Sequence, residues 1–400
     1  MEQIKIRDIC SLIGRGVTPL YDDAGILILN QKCIRDNKVS FEKAQFTSDQ
    51  KRYSSEKFIQ KNDILINSTG AGTLGRVALY DSEDVALCDS HVTIVRVNPM
   101  QNSDLYASPK YVGYYLHLNE TVIESLGKGA TNQLELSSKD IGKINIDLPD
   151  RITQEQVVST LSAYDNLIEI NNKRIKVLEQ MAENLYKEWF VRFRFPGHET
   201  AEFENGIPKG WEYSTIESVS SILQRGISPE YDDDGELIVI SQKCIRQNIM
   251  DITEARKHSK AFKAELNLAD GDTVICSTGT GTLGRVGQVY GNYQNTTFDS
   301  HVTLVRANAL IGKHFLYWSL KELQPWFMNM GIGSTNQQEL YRGTIKNAKF
   351  LLPTHALIEK FELYIESIHK NIILLGKMQT NSIRQRDLLL PRLMSGKLGM

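Results

Sequence analysis

Ile66–Tyr80 reads INSTGAGTLGRVALY, and Cys276–Tyr290 reads CSTGTGTLGRVGQVY. In the first copy Gly70, Gly72 and Gly75 fit the G-x-G-x-x-G spacing of a dinucleotide-binding turn. They follow the strand-like run Asp63-Ile64-Leu65-Ile66, with Asp89 downstream. That fingerprint works only if a helix starts inside the glycines, because the pyrophosphate sits on the helix N-terminus. The residues after Gly75 are Arg-Val-Ala-Leu-Tyr-Asp, and those after Gly284 are Arg-Val-Gly-Gln-Val-Tyr. These residues favour strand, so no helix is expected there. A P-loop fails as well, since Arg76-Val77 stands where Lys-Ser/Thr is required. The pattern predicts a strand-turn-strand element whose glycines bend the backbone or let a ligand approach it.

The duplication of this stretch extends along the chain. Gly16-Val17-Thr18-Pro19 returns as Gly226-Ile227-Ser228-Pro229, and Gln31-Lys32-Cys33-Ile34-Arg35 returns unchanged at 242–246. Asp89-Ser90-His91-Val92-Thr93 becomes Asp299-Ser300-His301-Val302-Thr303, and Gly129-Ala130-Thr131-Asn132-Gln133 becomes Gly333-Ser334-Thr335-Asn336-Gln337. The copies lie between 204 and 211 residues apart and keep their order. The chain is a tandem duplication of a unit about half its length.

Each unit has two parts. Residues 1–149 and 208–353 carry short apolar runs such as Ile26–Leu29 and Val92–Val95 between turn residues, as in a small domain with a curved or irregular sheet. Helical pieces are expected near Tyr111–Leu118 and Thr121–Leu126. The second part is helical. Leu161, Tyr164, Ile168, Asn171, Ile175, Leu178, Ala182, Leu185 and Trp189 step by three and four. This is a heptad seam with one polar member, Asn171, the kind that fixes register. Ile358, Phe361, Ile365, Ile368, Ile372 and Leu375 repeat the rhythm. Gln379, Ser382 and Arg386 then interrupt it, so the far half of that helix is expected to pack less well. The fold class is α/β (α+β), with the two helices pairing as an antiparallel coiled coil of roughly 60 Å. The expected domains are 1–150, a central helix at 151–195, a linker and second domain at 196–353, and a helix and tail at 354–400.

Five scattered cysteines without C-x-x-C spacing argue for reduced thiols and against zinc or a disulfide frame. No apolar run suits a bilayer, and the N-terminus carries no basic-then-apolar signal pattern. Net charge is −2, and residues 1–150 hold 17 Lys/Arg against 20 Asp/Glu. Nucleic-acid binding would therefore rest on local patches or on partners. At Asp89-Ser90-His91, alternation along a strand leaves Ser90 without a neighbour to activate it. Asp89 and His91 share a face and are expected to pair with each other. H-x-x-x-H spacing, a nucleophile elbow and kinase motifs are all missing.

The ordered pattern resembles the specificity subunit of type I restriction-modification enzymes over nearly the whole chain. The marks are Gly16-x-Thr18-Pro19, Gly72-Thr73-Leu74-Gly75-Arg76, and the Gly129–Gln133 turn leading to Ile146-Asp147-Leu148-Pro149. Gln154-Glu155-Gln156 opens the first helix, and Trp189-Phe190-Val191 to Phe195-Pro196 closes it. Pro208-x-Gly210-Trp211 and the tail Leu388–Leu393 with Gly396 follow. The second helix departs, opening Thr354-His355-Ala356. The resemblance implies a cytoplasmic, non-catalytic protein without a cofactor of its own. Its two target-recognition domains would each read half of a bipartite site in double-stranded DNA. Its helices would space them and dock two modification subunits, which carry S-adenosylmethionine and flip out the target adenine. Restriction subunits would complete the assembly, and no membrane is involved. The alternative is a duplicated nucleotide-dependent enzyme using the glycine turns.

On the first reading, Arg76 and Arg285 reach phosphate or a guanine edge, unless they form surface salt bridges. Thr69, Thr73, Thr278, Thr280 and Thr282 donate to phosphate or cap their turns. Arg15, Lys32 and Arg35, with Arg225, Lys243 and Arg246, are recurring basic positions near loops. Asn132, Gln133, Asn336 and Gln337 suit bidentate adenine recognition. Their presence in both halves points instead to shared fold or phosphate roles.

Overall fold

Asp150 starts the central helix by accepting the Thr153 N–H at 3.0 Å, as an N-cap acid does. The helix then runs Arg151–Tyr186 and ends in a π turn, Lys187–Val191, that buries Trp189 and Phe190. In this computed structural model, residues 2–35, 37–99, 105–129, 134–246, 249–333 and 338–397 are described. The C-terminal helix spans His355–Met394. The chain divides into two units, Met1–Glu169 with Thr380–Met400, and Ile170–Gln379. Both long helices pass from one unit to the other.

In the first unit an antiparallel sheet orders Cys10–Arg15, Val92–Val97, Ile64–Asn67 and Val77–Leu79. A second sheet orders Ala86–Cys88, Ile26–Leu29, Gln45–Thr47 and Tyr21–Asp22, its first pair parallel. Glu2–Lys5 pairs antiparallel with Asn145–Leu148, so the two ends of the repeat are zipped together. The expected short helices are present as Pro109–Leu118 and Glu120–Ser125. The second unit repeats the plan. Ser220–Arg225, Val302–Ala307, Thr273–Cys276 and Val286–Gln288 form the matching sheet. Glu212–Thr215 pairs with Lys349–Leu352 and closes that repeat. The fold is thus mixed helix and sheet, built twice. All five cysteines are buried and free.

The helices pair antiparallel within each unit. In the first, Val157 and Leu161 share a core with Leu390, Leu393 and Met394. In the second, Gln379 donates to Asn172 at 2.9 Å, and the Trp189 ring packs on Phe361 and Tyr364. The expectation of poorer packing beyond Leu375 needs correcting. Ser382, Leu390 and Leu393 are buried, and Arg386 is inside the seam with its guanidinium bonded to Asp165. A polar position packs well when its charge is matched across the interface. Asn171 is fully buried, and neither amide atom meets a hydrogen-bond partner among the described residues. Asp165–Arg386 is a hydrogen-bonded polar step of the seam, as is Asn172–Gln379.

The opening of each helix is tied to its own repeat. The buried Gln154 side chain donates to the carbonyls of Tyr106 and Pro149 and accepts the Ser108 N–H, all within 2.9 Å. The second helix, which lacks the Gln-Glu-Gln run, uses Glu362 instead. Its carboxylate accepts the Phe315 N–H at 2.8 Å and the His314 N–H at 3.4 Å, capping the helix Lys313–Glu322.

Candidate nucleic-acid interface

The glycine stretch joins two antiparallel strands, Ile64–Asn67 and Val77–Leu79, and no helix starts within it. Gly75 has φ +82, and a Cβ there would lie 2.8 Å from the backbone nitrogen of Glu124. Gly284, at φ +74, meets Met328 in the same way at 2.6 Å. This glycine lets a short helix pack directly on the turn. Gly72 and Gly281, at the tips, have nothing within 4 Å of a Cβ. The tip is open and the base is tightly packed.

Side chains of the turn stiffen it from within. Thr73 donates to the carbonyls of Thr69 and Gly70 at 3.3 Å, and Thr282 to those of Thr278 and Gly279 at 3.0 and 3.2 Å. Thr280 is exposed at the second tip. Arg76 donates to the Gly72 carbonyl at 2.9 Å, and Arg285 to that of Gly281 at 2.8 Å and of Ile245 at 3.0 Å. Both guanidinium groups therefore hold the tips and remain partly exposed.

Thr69 and Thr278 bond to histidine. Thr69 Oγ1 lies 2.7 Å from His91 Nδ1 and 3.4 Å from Gln31 Oε1. Thr278 Oγ1 lies 2.7 Å from His301 Nδ1 and 3.1 Å from Gln242 Oε1. The expected Asp89–His91 side-chain pair is corrected here. Asp89 and Asp299 accept the backbone N–H of His91 and His301 at 2.9 Å. The residues sit in a turn between strands, where the carboxylate reaches the backbone two residues on and frees the imidazole. Burial pushes the Asp89 carboxyl above the usual carboxylate range, a rise opposed by the His91 N–H.

Arg15 and Arg225 face inward to the same place. Arg15 bonds to the Glu135 carboxylate and, at 2.9 Å, to the Leu136 carbonyl. Arg225 bonds to Glu339 and, at 3.0 Å, to the Leu340 carbonyl. Glu135 bridges to Thr69 and Lys128, and Glu339 to Thr278 and Ile332. Lys128 and Glu135 are thereby placed beside Thr69 of the glycine turn, as Ile332 and Glu339 are beside Thr278. Asn132, Gln133, Asn336 and Gln337 themselves lie outside the described residues. Lys32, Arg35 and Lys243 are exposed. Arg246, also exposed, bonds to the Lys243 carbonyl at 3.1 Å and faces Glu254 at 3.4 Å.

Each repeat therefore gathers Arg15, Thr69, Thr73 and Arg76, or Arg225, Thr278, Thr282 and Arg285, around one open turn. Gln31, His91 and Glu135 with their copies are further members of this surface. The presence of Gln31 and His91 in the repeated blocks was the signal available for finding them, and Glu135 lies two residues beyond the last block. Among the described residues no group of His, Cys, Asp and Glu could hold a metal ion. None of their helices is long and apolar enough to cross a membrane.

The sequence profile of the type I restriction modification DNA specificity domain matches residues 1–180 and 208–361. The chain belongs to this family. The two matched segments coincide with the two repeats, so the specificity domain is present twice. The chain is similar to the specificity subunit of the type I restriction enzyme MjaIX of Methanocaldococcus jannaschii, 24% identical over 297 residues, 71% of this chain and 68% of that one. It is 23% identical to the HindI specificity subunit of Haemophilus influenzae, over 86% of this chain and 88% of that one. A crystal structure of a type I restriction-modification S subunit from M. genitalium shares the fold, with TM-score 0.59, 17% identity and coverage of 98% and 95%. Nothing in the specificity-domain fold or its turns supports the nucleotide-dependent enzyme.

Proposed function

We propose that the chain is the DNA-reading specificity subunit of a type I restriction-modification complex. Each repeat reads one half of a bipartite site, and the two helices set the gap and dock modification subunits. The observation that carries this reading is the double construction. An open, glycine-tipped turn flanked by Arg, Thr and His is built twice, each time in a domain closed by pairing of its own ends. Two domains of one plan and different surface residues suit a split, asymmetric sequence better than one catalytic centre. The functional domains on this reading are 1–150 and 196–353, with spacer helices at 151–195 and 354–400. Arg76 and Arg285, with Lys32, Arg35, Lys243 and Arg246, supply positive charge to DNA. The chain itself carries no catalytic residue. Two modification subunits supply S-adenosylmethionine and the methyl transfer, restriction subunits supply cleavage, and the complex works in the cytoplasm.

The test is an exchange of residues 208–353 for the matching region of a relative, followed by mapping of methylated adenines. One half of the methylated sequence should change while the other is kept. A change in both halves together would overturn the modular reading.

A further inference from the structure

We propose that His91 and His301 are paired contacts to the DNA phosphodiester backbone, each aimed by its threonine and glutamine and each indifferent to base sequence. The inference rests on the DNA-reading function above and assigns part of its surface.

The two repeats have diverged around this cluster and kept it. The imidazole Nδ1 to threonine distance is 2.7 Å in both, and the histidine N–H to aspartate distance is 2.9 Å in both. Both histidines are exposed, so burial does not account for their retention. Apart from the threonine bond the fold uses their backbone, the N–H given to aspartate and the carbonyl that accepts the Ser68 or Ser277 N–H at 2.8 Å, and any residue other than proline supplies both. What a side-chain bond on Nδ1 does is orient the ring and fix where its other nitrogen points. Among the described residues Nε2 of neither ring has a protein partner. Each ring is held against the threonine that precedes Gly70 or Gly279 in the glycine turn. The threonine hydroxyl gives its single hydrogen to the glutamine Oε1, so Nδ1 supplies the hydrogen of the histidine–threonine bond, and Nε2 donates to a phosphate oxygen as part of an imidazolium, with charge on that bond. Arg76 and Arg285, docked on the tips, bring a cation to the same turn.

The choice of phosphate over bases follows from the duplication. Two domains that read different half-sites share only what every duplex offers, and that is the sugar–phosphate backbone. Exposed residues common to both repeats therefore position the DNA, and base reading belongs to loops that differ between them.

The experiment uses the subunit assembled with its modification partner. His91→Ala and His301→Ala, singly and together, are measured for affinity to the methylated-site duplex and to one with both half-sites scrambled, across a salt series. Each alanine should weaken both duplexes by the same factor, about fivefold, and lower the salt slope by up to about one unit. The methylated sequence should not change. His91→Asn and His301→Asn, which keep a neutral donor, should recover part of the affinity and provide the test should the alanine forms melt early. A loss confined to the true site, an altered methylated base, or unchanged binding in all variants would overturn the proposal. Wild-type complex that retains no duplex would instead overturn the DNA-reading function itself.

Discussion

Arg386 of the C-terminal helix donates to one oxygen of Asp165 in the central helix at 2.8 Å, and Tyr114 of the first repeat donates to the other at 2.6 Å. The carboxylate ties together three segments far apart in sequence. The two ionic side chains are only 12% and 19% exposed, so the pair is mostly withdrawn from water. Burial first, and the Asp165 charge second, hold the Tyr114 phenol well above its usual range.

Asp165→Ala should therefore be costly, because it takes from Arg386 its partner across the seam, leaving only Asp387 on its own helix, and takes from the Tyr114 phenol its carboxylate acceptor. The expected loss is about 3–5 kcal/mol in denaturant unfolding of the first unit. Replacing both charges, as Asp165→Leu with Arg386→Met, should restore much of it, since a matched apolar pair leaves no charge unpaired within the seam and Asp387, which also bonds to Arg386, is exposed to water. A double variant as unstable as the single one would show that the pair is not the source of the loss.

The glycines of one turn should respond differently to the same substitution. Gly72→Ala meets open space and carries only the strain of a positive φ, about 1 kcal/mol. Gly75→Ala adds a clash with the backbone of the helix Glu120–Ser125, and it should cost more than twice as much. Melting temperatures of the two variants make the comparison, and equal losses would contradict this packing.

His314 gives the second unit an acid limit. Its ring is fully buried, lies 4.5 Å from the His369 ring, and bonds through Nε2 to Glu366 at 3.0 Å. Lys313 and Gln288 also face this cluster. Burial first, then the neighbouring His369, holds the imidazole down at about 4, so it stays neutral and donates to Glu366. The unfolded histidine takes up its proton near 6.5, so the unfolded state binds more protons between those values. Stability from this group is complete above about pH 6.5 and declines as pH falls toward 4. Glu366, held down at about 2 chiefly by the His314 bond and Lys313 against its burial, loses its own contribution at still lower pH. His314→Gln should flatten the stability profile between pH 6.5 and 4, as followed by denaturation across pH.

The antiparallel pairing restricts how the spacer can be lengthened. An insertion in the central helix alone leaves its partner short and shifts every later contact. Matched insertions of seven residues, after Asn171 and after Gln379, keep both seams in register and add about 10 Å of helix. On the proposed function, the methylated half-sites should be kept and their gap should lengthen by about three base pairs. An active variant with an unchanged gap would show that the helices do not set the spacing.

Much of this protein was written in local patterns. The tandem repeat, the strand-turn-strand character of Ile66–Tyr80 and the apolar steps from Leu161 to Trp189 follow from residue order alone. Turn chemistry and helical period act over a few residues, so the mixed fold, its duplication and the two pairing helices were legible in residue order. Partner choice among polar side chains is a different matter. Arg15 reaches Glu135 across 120 positions, the His91 ring takes Thr69 in preference to the nearby Asp89, and Arg386 finds Asp165 across 221. A hydrogen bond is decided by which donor and acceptor are brought within about 3 Å in the right direction. That approach is created by strand pairing and helix packing between segments with no local signal of each other, and so the assembly of the turn surface emerges in the folded chain alone.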